Sequence, residues 1–196
     1  MAGGVGDIWK QIVTIFSGSG SGGGSYDSRQ QIIDYLKDKG YSNESVAGIV
    51  GNIDVESVGS FDYTQKEIDH YDKNNKPIYK KNGGYGLFQF DGDTKKHYND
   101  YLNTSNKKDS MESQIDFMDE MVKCNIKYYN KTDKKMVPVL GYGNVGEIQD
   151  IFLNEIDPSE ISLKFSEIFE KPEKGKEHND KRSESALSVY ESFNPR

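Results

Sequence analysis

Apolar residues recur along most of this 196-residue chain at the three- and four-residue spacing of amphipathic helices. In residues 6–16, Ile8, Trp9, Ile12, Val13 and Phe16 share one face and predict a short amphipathic peptide. It either docks on the domain or anchors the protein in a larger assembly. Asp7 and Lys10 interrupt it and no basic cluster precedes it, so it does not read as a secretory signal. Residues 17–25 are only Ser and Gly, a composition that holds no regular structure and predicts a flexible tether. A folded domain is expected over residues 26–196.

Within that domain Asp27 or Ser28 can cap a helix carrying Ile32, Ile33 and Leu36, with Gly40 as its stop. Ser42 or Asn43 caps a second, on which Val46, Ile49, Val50 and Ile53 fall at i, i+3, i+4 and i+7. Residues 60–84 are polar and rich in Tyr, Lys, Asn and Gly, and read as loop. Residues 85–90 are short, aromatic and punctuated by glycine, which predicts one strand of a small hairpin. A helix over 93–102 follows, then a longer one from Ser110 with Met111, Ile115, Met118, Val122 and Ile126 on one stripe. Residues 136–146 read as a turn-rich break, and 147–153, 158–169 and 180–193 as shorter helices. The pattern predicts a mainly α (α+β) domain with a small β hairpin.

Composition narrows the partners. Twenty-five basic against 32 acidic residues leave a formal charge of −7, which disfavours generic nucleic-acid binding. No apolar run approaches the ~20 residues of a membrane-spanning helix. A single cysteine rules out an internal disulfide and any multi-cysteine zinc site. Thirteen tyrosines suit a groove that grips ligands with both apolar faces and hydroxyls, sugars among them.

The chemistry concentrates around Glu56. At ~100° per residue, Ile49, Val50 and Ile53 cluster and Glu56 falls at the edge of their stripe, one turn beyond Ile53. A carboxyl leaning on apolar side chains loses hydration, which raises its pKa and suits a general acid near neutral pH. The bland alternative is a carboxylate accepting hydrogen bonds at a helix terminus, although a C-terminal end is electrostatically unfavourable for it. Asp54 is expected on the other, solvated flank.

Gly51-Asn52 with Glu56-Ser57, then Gly84-Tyr85-Gly86-Leu87-Phe88-Gln89-Phe90, and finally Phe169-Glu170-Lys171-Pro172 with Arg182, Ala186 and Tyr190, stand in an order that resembles the phage tail lysozyme family. The resemblance covers about residues 28–193. It implies a lysozyme-like helical domain that cleaves the glycan strand of bacterial peptidoglycan between N-acetylmuramic acid and N-acetylglucosamine, without metal or organic cofactor. It also implies a place in the phage tail, reached through the N-terminal segment. Glu56 takes the catalytic-acid position, with Tyr85 and Gln89 on the strand that walls the cleft. Strand alternation puts Tyr85, Leu87 and Gln89 on one face, where Gln89 offers a donor and an acceptor to an acetamido group. Ordinary hairpin packing is the alternative for both residues. Two carboxyls normally share glycoside cleavage, and Asp62, Asp69, Asp91 and Asp93 are candidates for the second. A single glutamate with a substrate acetamide or sugar hydroxyl would serve instead, the last giving the anhydro product of a lytic transglycosylase. A non-catalytic glycan-binding role stays open as well.

Other features carry less. Cys124 is expected opposite the Ile115–Met118–Val122 stripe as a bystander. His70, His97 and His178 are too scattered for a zinc pair, with His70 a candidate at the cleft mouth. Residues 72–76 begin like a calcium loop, but Lys76 occupies a ligand position. Residues 83–86 lack the Gly-Lys-Ser/Thr of a phosphate loop. Met111, Met118 and Met121 read as core, and residues 171–181 as a charged loop or a cleft rim.

Overall fold

The computed structural model describes residues 24–132, 134–140, 145–154, 157–170 and 178–193. The expected N-terminal anchor, most of the tether and most of residues 171–181 lie outside them. Seven helices carry the described chain: α1 (Gly24–Asp38), α2 (Asn43–Glu56), α3 (Gly92–Ser105), α4 (Met111–Val122), α5 (Val145–Asn154), α6 (Pro158–Phe165) and α7 (Asn179–Phe193). Two antiparallel ribbons accompany them, β1 (Ile68–Tyr71) with β2 (Pro77–Tyr79), and β3 (Lys127–Asn130) with β4 (Lys135–Pro138). This is the mainly α fold with small hairpins that the sequence predicts.

The central element is α2. Ser42 caps it, its hydroxyl accepting from the Ser45 amide at 3.1 Å. Every residue from Ser45 to Ile53 is buried, so the helix is enclosed rather than amphipathic. Its off-stripe positions make that possible. The Ser45 hydroxyl donates to the Phe152 carbonyl of α5 at 2.6 Å, and Gly48 and Gly51 are small. A Cβ on Gly51 would stand 2.5 Å from the Ala186 amide nitrogen of α7, and one on Gly48 2.5 Å from Ile161 of α6. The two glycines let α6 and α7 approach α2 at backbone distance.

The hairpins sit elsewhere than the sequence predicts. Residues 85–90 form a tight turn, with only a lone bridge from Tyr85 to Lys66 and φ of 74° at Gly86 and 46° at Gln89. Leu87, Phe88 and Phe90 are buried, and the Phe90 ring meets Phe117 edge-on at 5.3 Å. Aromatic anchoring in the core has overridden strand propensity. The first ribbon lies in the expected 60–84 loop. At its tip the Asp72 carboxylate accepts from the Asn74 and Lys76 amides at 2.8 and 2.9 Å, so the calcium-like run is a hairpin turn. The second ribbon takes residues 136–138 from the expected break. Because α4 ends at Val122, helical extrapolation fails beyond it: Ile126 leaves the stripe, and Cys124, at φ 56°, turns inward and is 7% exposed. Burial pushes its thiol pKa up, consistent with an inert side chain.

A cluster of charges joins α1 to α4. Lys39 reaches Asp116 at 2.6 Å and Asp119 at 3.3 Å, Lys107 reaches Asp116 at 2.5 Å, and the Tyr35 hydroxyl donates to Asp116 at 2.9 Å. Burial alone would push the Asp116 carboxyl up; the hydrogen bonds from Lys107, Lys39 and Tyr35 outweigh it and hold the group below its ordinary range. A pKa lower in the folded than the unfolded state stabilises above the unfolded value of about 4 and is lost as pH falls through the folded value. Asp116→Asn should therefore flatten the acid limb of stability, read as denaturant midpoints between about pH 2 and pH 7. An acid limb as steep as that of the parent would exclude this linkage.

Candidate active site

Glu56 is the last residue of α2. The partner that holds it is a cation, which the apolar stripe does not predict. Its Oε1 accepts from a guanidinium nitrogen of Arg182 on α7 at 2.5 Å. The Arg182 side chain is only 2% exposed and the Glu56 side chain 21%, so the cation is buried while the carboxyl keeps an open side. The other guanidinium nitrogen donates to Oδ1 of fully buried Asn52, one helical turn before Glu56. Oε2 of Glu56 takes no hydrogen bond among the described residues. One oxygen is thus fixed and the other is available. Asp54, expected in solvent, accepts instead from the Ser185 hydroxyl of α7 at 2.5 Å.

The loop leaving Glu56 is tied to the 84–90 turn. The Ser57 hydroxyl accepts from the Phe61 amide at 3.1 Å, and the Gly86 amide donates to the Gln65 carbonyl at 2.8 Å. Gln114 of α4, fully buried, joins them: its Oε1 accepts from the Leu87 amide at 2.9 Å, and its Nε2 donates to the Tyr63 carbonyl at 2.8 Å. Any Cβ on Gly86 would collide with that amide, which requires glycine in the turn. Gln114 Nε2 also donates to Asp109 at 3.2 Å, and Asp109 accepts from both the Tyr85 and Tyr98 hydroxyls. Burial, then the bond to Asp109, pushes both hydroxyls up, so both stay protonated donors.

The structure brings some of the expected residues together and separates others. Tyr85 and Gln89 lie at the two ends of the turn, each half-buried, not on one strand face. The Gln89 amide donates to its own turn at Gly86 O, 2.8 Å away. Asp62 lies close enough to Tyr85 for its charge to act on that hydroxyl, but its Oδ1 is occupied by the Thr64 amide and hydroxyl, both at 2.8 Å. Asp91 precedes α3 and makes no capping bond with its side chain. Together with Asp93, Thr94, Val139, Leu140, Ile168 and Phe169 it lines a cavity of about 310 Å³. Glu56, Asp62, Tyr85 and Gln89 do not line that cavity. Asp69 is exposed beside His70, 2.9 Å away. No group of three or more His, Cys, Asp or Glu residues among those described could hold a metal ion.

Beside the turn stands the β1–β2 ribbon, attached through Glu67, whose carboxylate accepts from the Gly84 amide at 3.0 Å. A bulge between Ile68 and His70 places Ile68 and Tyr71 on one face with Pro77 and Tyr79, despite their odd spacing. Ile68, Tyr71 and Tyr79 are 41%, 56% and 51% exposed, an aromatic face that the protein leaves uncovered.

Two contributors escaped the sequence pattern, Gln114 and Asp109, while Asn52 entered only as part of the family motif and not as a partner of Arg182. For Arg182 a signal existed, since an arginine on the Ala186–Val189 stripe of α7 must find a buried partner. Gln114→Leu would strand the buried Leu87 N–H, at about 1–3 kcal/mol, while the carbonyl of exposed Tyr63 can turn to water. The expected loss is about 1–3 kcal/mol in chemical denaturation, and a loss near zero would mean that Gln114 is not the clasp.

The family model described as phage tail lysozyme matches residues 27–193 of the chain. No curated protein matches it significantly.

Proposed function

The chain belongs to the phage tail lysozyme family, and from that membership and the Arg182-held carboxyl at the end of α2 we propose that it cleaves the peptidoglycan glycan strand with Glu56 as general acid. The bond cut is the one between N-acetylmuramic acid and N-acetylglucosamine. The observation that carries this reading is the asymmetry of Glu56: Oε1 is pinned by a buried guanidinium while Oε2 is unpartnered among the described residues. Oε2 carries the proton to the glycosidic oxygen, the C1–O bond breaks, and the sugar passes through an oxocarbenium-like state. Water then adds at C1 and gives up a proton. Arg182 and Asn52 are positioning residues in this scheme, and Tyr85 lies beside a sugar ring. A family of phage tail lysozymes supports a virion setting at the host wall.

A second reading, lytic transglycosylase chemistry, is favoured by one observation. Asp62 closes its own turn and Asp91 lines a separate cavity, so neither is held as an evident partner for Glu56. A sugar hydroxyl would then replace water. Mass spectrometry of released fragments separates the two, reducing ends for hydrolysis and anhydro ends for transglycosylation.

Glu56→Gln keeps an acceptor for Arg182 and should retain the fold while lowering wall-lytic activity by about 10²–10⁴-fold. Turbidity loss of cell walls reads the activity and circular dichroism the fold. Activity near that of the parent would remove Glu56 from the mechanism; inactivity of the parent chain itself would point to a glycan-binding role. Tyr71→Ala with Tyr79→Ala should raise KM several-fold with kcat nearly unchanged, the signature of lost uniform binding. A fall in kcat alone would contradict a sugar-binding ribbon.

A further inference from the structure

The β3–β4 ribbon presents a second surface unlike the rest of the molecule. Its register pairs Lys127 with Pro138, Tyr128 with Val137, Tyr129 with Met136 and Asn130 with Lys135. Directly opposed residues share a face, so Lys127, Tyr129, Met136 and Pro138 form one side of the ribbon. The other side holds it to the body: Val137 is 3% exposed and the Tyr128 ring lies 5.1 Å from that of His97 on α3. The outward side is left open, with Tyr129 and Met136 each 56% exposed.

Charge sets this ribbon apart. Residues 123–135 carry five lysines against one acid, Asp133, within a chain of net charge −7. Lys123 is spent on Asp119 at 2.8 Å. Lys127, Lys131 and Lys134 are exposed and make no ion pair with the described residues. Lys127 opens β3 and Lys131 stands in the turn just past its end; the strand alone spans about 10 Å, which is too wide for one phosphate and suited to a repeating anion. The exposed Tyr129–Met136 pair between the lysines offers an apolar surface to the carbon units that link such anions.

We infer that the outer face of β3–β4 docks a polyol-phosphate polymer attached to the wall that the enzyme degrades. The degrading activity proposed above supplies only the location of this polymer; the recognition follows from the ribbon itself. Overall negative charge repels a long, stiff polyphosphate such as duplex DNA. Screening over ~8 Å at physiological ionic strength confines that repulsion, so a flexible chain reaching only the ribbon tip meets mainly lysine. Binding there would hold the lysozyme domain against its insoluble substrate between cuts.

The test uses the full chain carrying Glu56→Gln, co-sedimented with Gram-positive walls bearing poly(glycerol phosphate) and with the same walls stripped by hydrofluoric acid. Binding should fall at least about tenfold on stripping, and again for intact walls when Lys127, Lys131 and Lys134 are all changed to Glu. The same three positions changed to Arg should retain binding, and added salt should weaken it. Equal binding to intact and stripped walls overturns the proposal, as does unaltered binding by the glutamate variant. A single-stranded oligonucleotide bound more tightly than the walls would reassign the face to nucleic acid. The stripping comparison needs no variant, so it stands if the glutamate chain misfolds. Should Glu56 not be the acid, the variant would still clear the walls, which turbidity reads, while sedimentation in the cold before clearing still reports the difference on stripping, so the two failures are read separately.

Discussion

A guanidinium taken out of water is costly unless its hydrogen bonds and charge are answered, and Arg182 lies at the centre of this structure under that demand. Its answers come from Asn52 and Glu56, one turn apart on α2, so a single planar side chain sets both the rotation and the height of α7 against α2. The fork reaches both partners only if the two helices lie nearly in backbone contact. Gly51 facing Ala186 meets that requirement, and Gly48 facing Ile161 gives α6 the same close approach. The small residues in α2 and the charged residue in α7 are therefore two halves of one constraint. Removing Glu56 entirely would take from the buried cation a charged hydrogen-bond acceptor, a more serious change than neutralising it as Gln.

The second polar knot works differently. Gln114 and Asp109 gather backbone groups and hydroxyls from the loop after Glu56 and the 84–90 turn, which have no regular structure of their own, and tie them to Tyr98 of α3. Loops normally meet their backbone needs with water. Here the buried Gln114 side chain meets several of them, while Leu87, Phe88 and Phe90 anchor the turn in the aromatic core. The result is a stiff floor, from which the β1–β2 ribbon projects with an exposed aromatic face. Rigid chemistry and adhesive periphery are built from different materials, buried amides in the one and uncovered tyrosines in the other.

Helices were legible in the sequence because their signals are local. Ser42 and Ser110 cap where expected, and Val46, Ile49, Val50 and Ile53 are buried together. The ribbons were not. Tyr85 to Phe90 carries the composition of a strand, yet a lone bridge at Tyr85 and aromatic burial fold it into a turn. Residues 68–79 look like polar loop, yet they pair because Asp72 closes a tip and a bulge realigns the register. At the site, the Glu56 position was visible from helix geometry and from the family resemblance. Its partner was not, because helix periodicity reports only which face of α2 is covered and says nothing of a cation arriving from α7. Cys124 illustrates the same limit: a wheel drawn past the end of α4 assigns a direction to a residue that is no longer helical.

The Glu56–Arg182 contact spans 126 positions of sequence. A nascent or truncated chain that stops short of α7 has the carboxyl but nothing to orient it, and α2 keeps an uncovered flank where Ala186 belongs. Long-range closure of this kind is slow to form and comes after local helices. If Glu56 is the acid proposed above, a wall-cutting activity assembled in this order is withheld from partial products until α7 is in place.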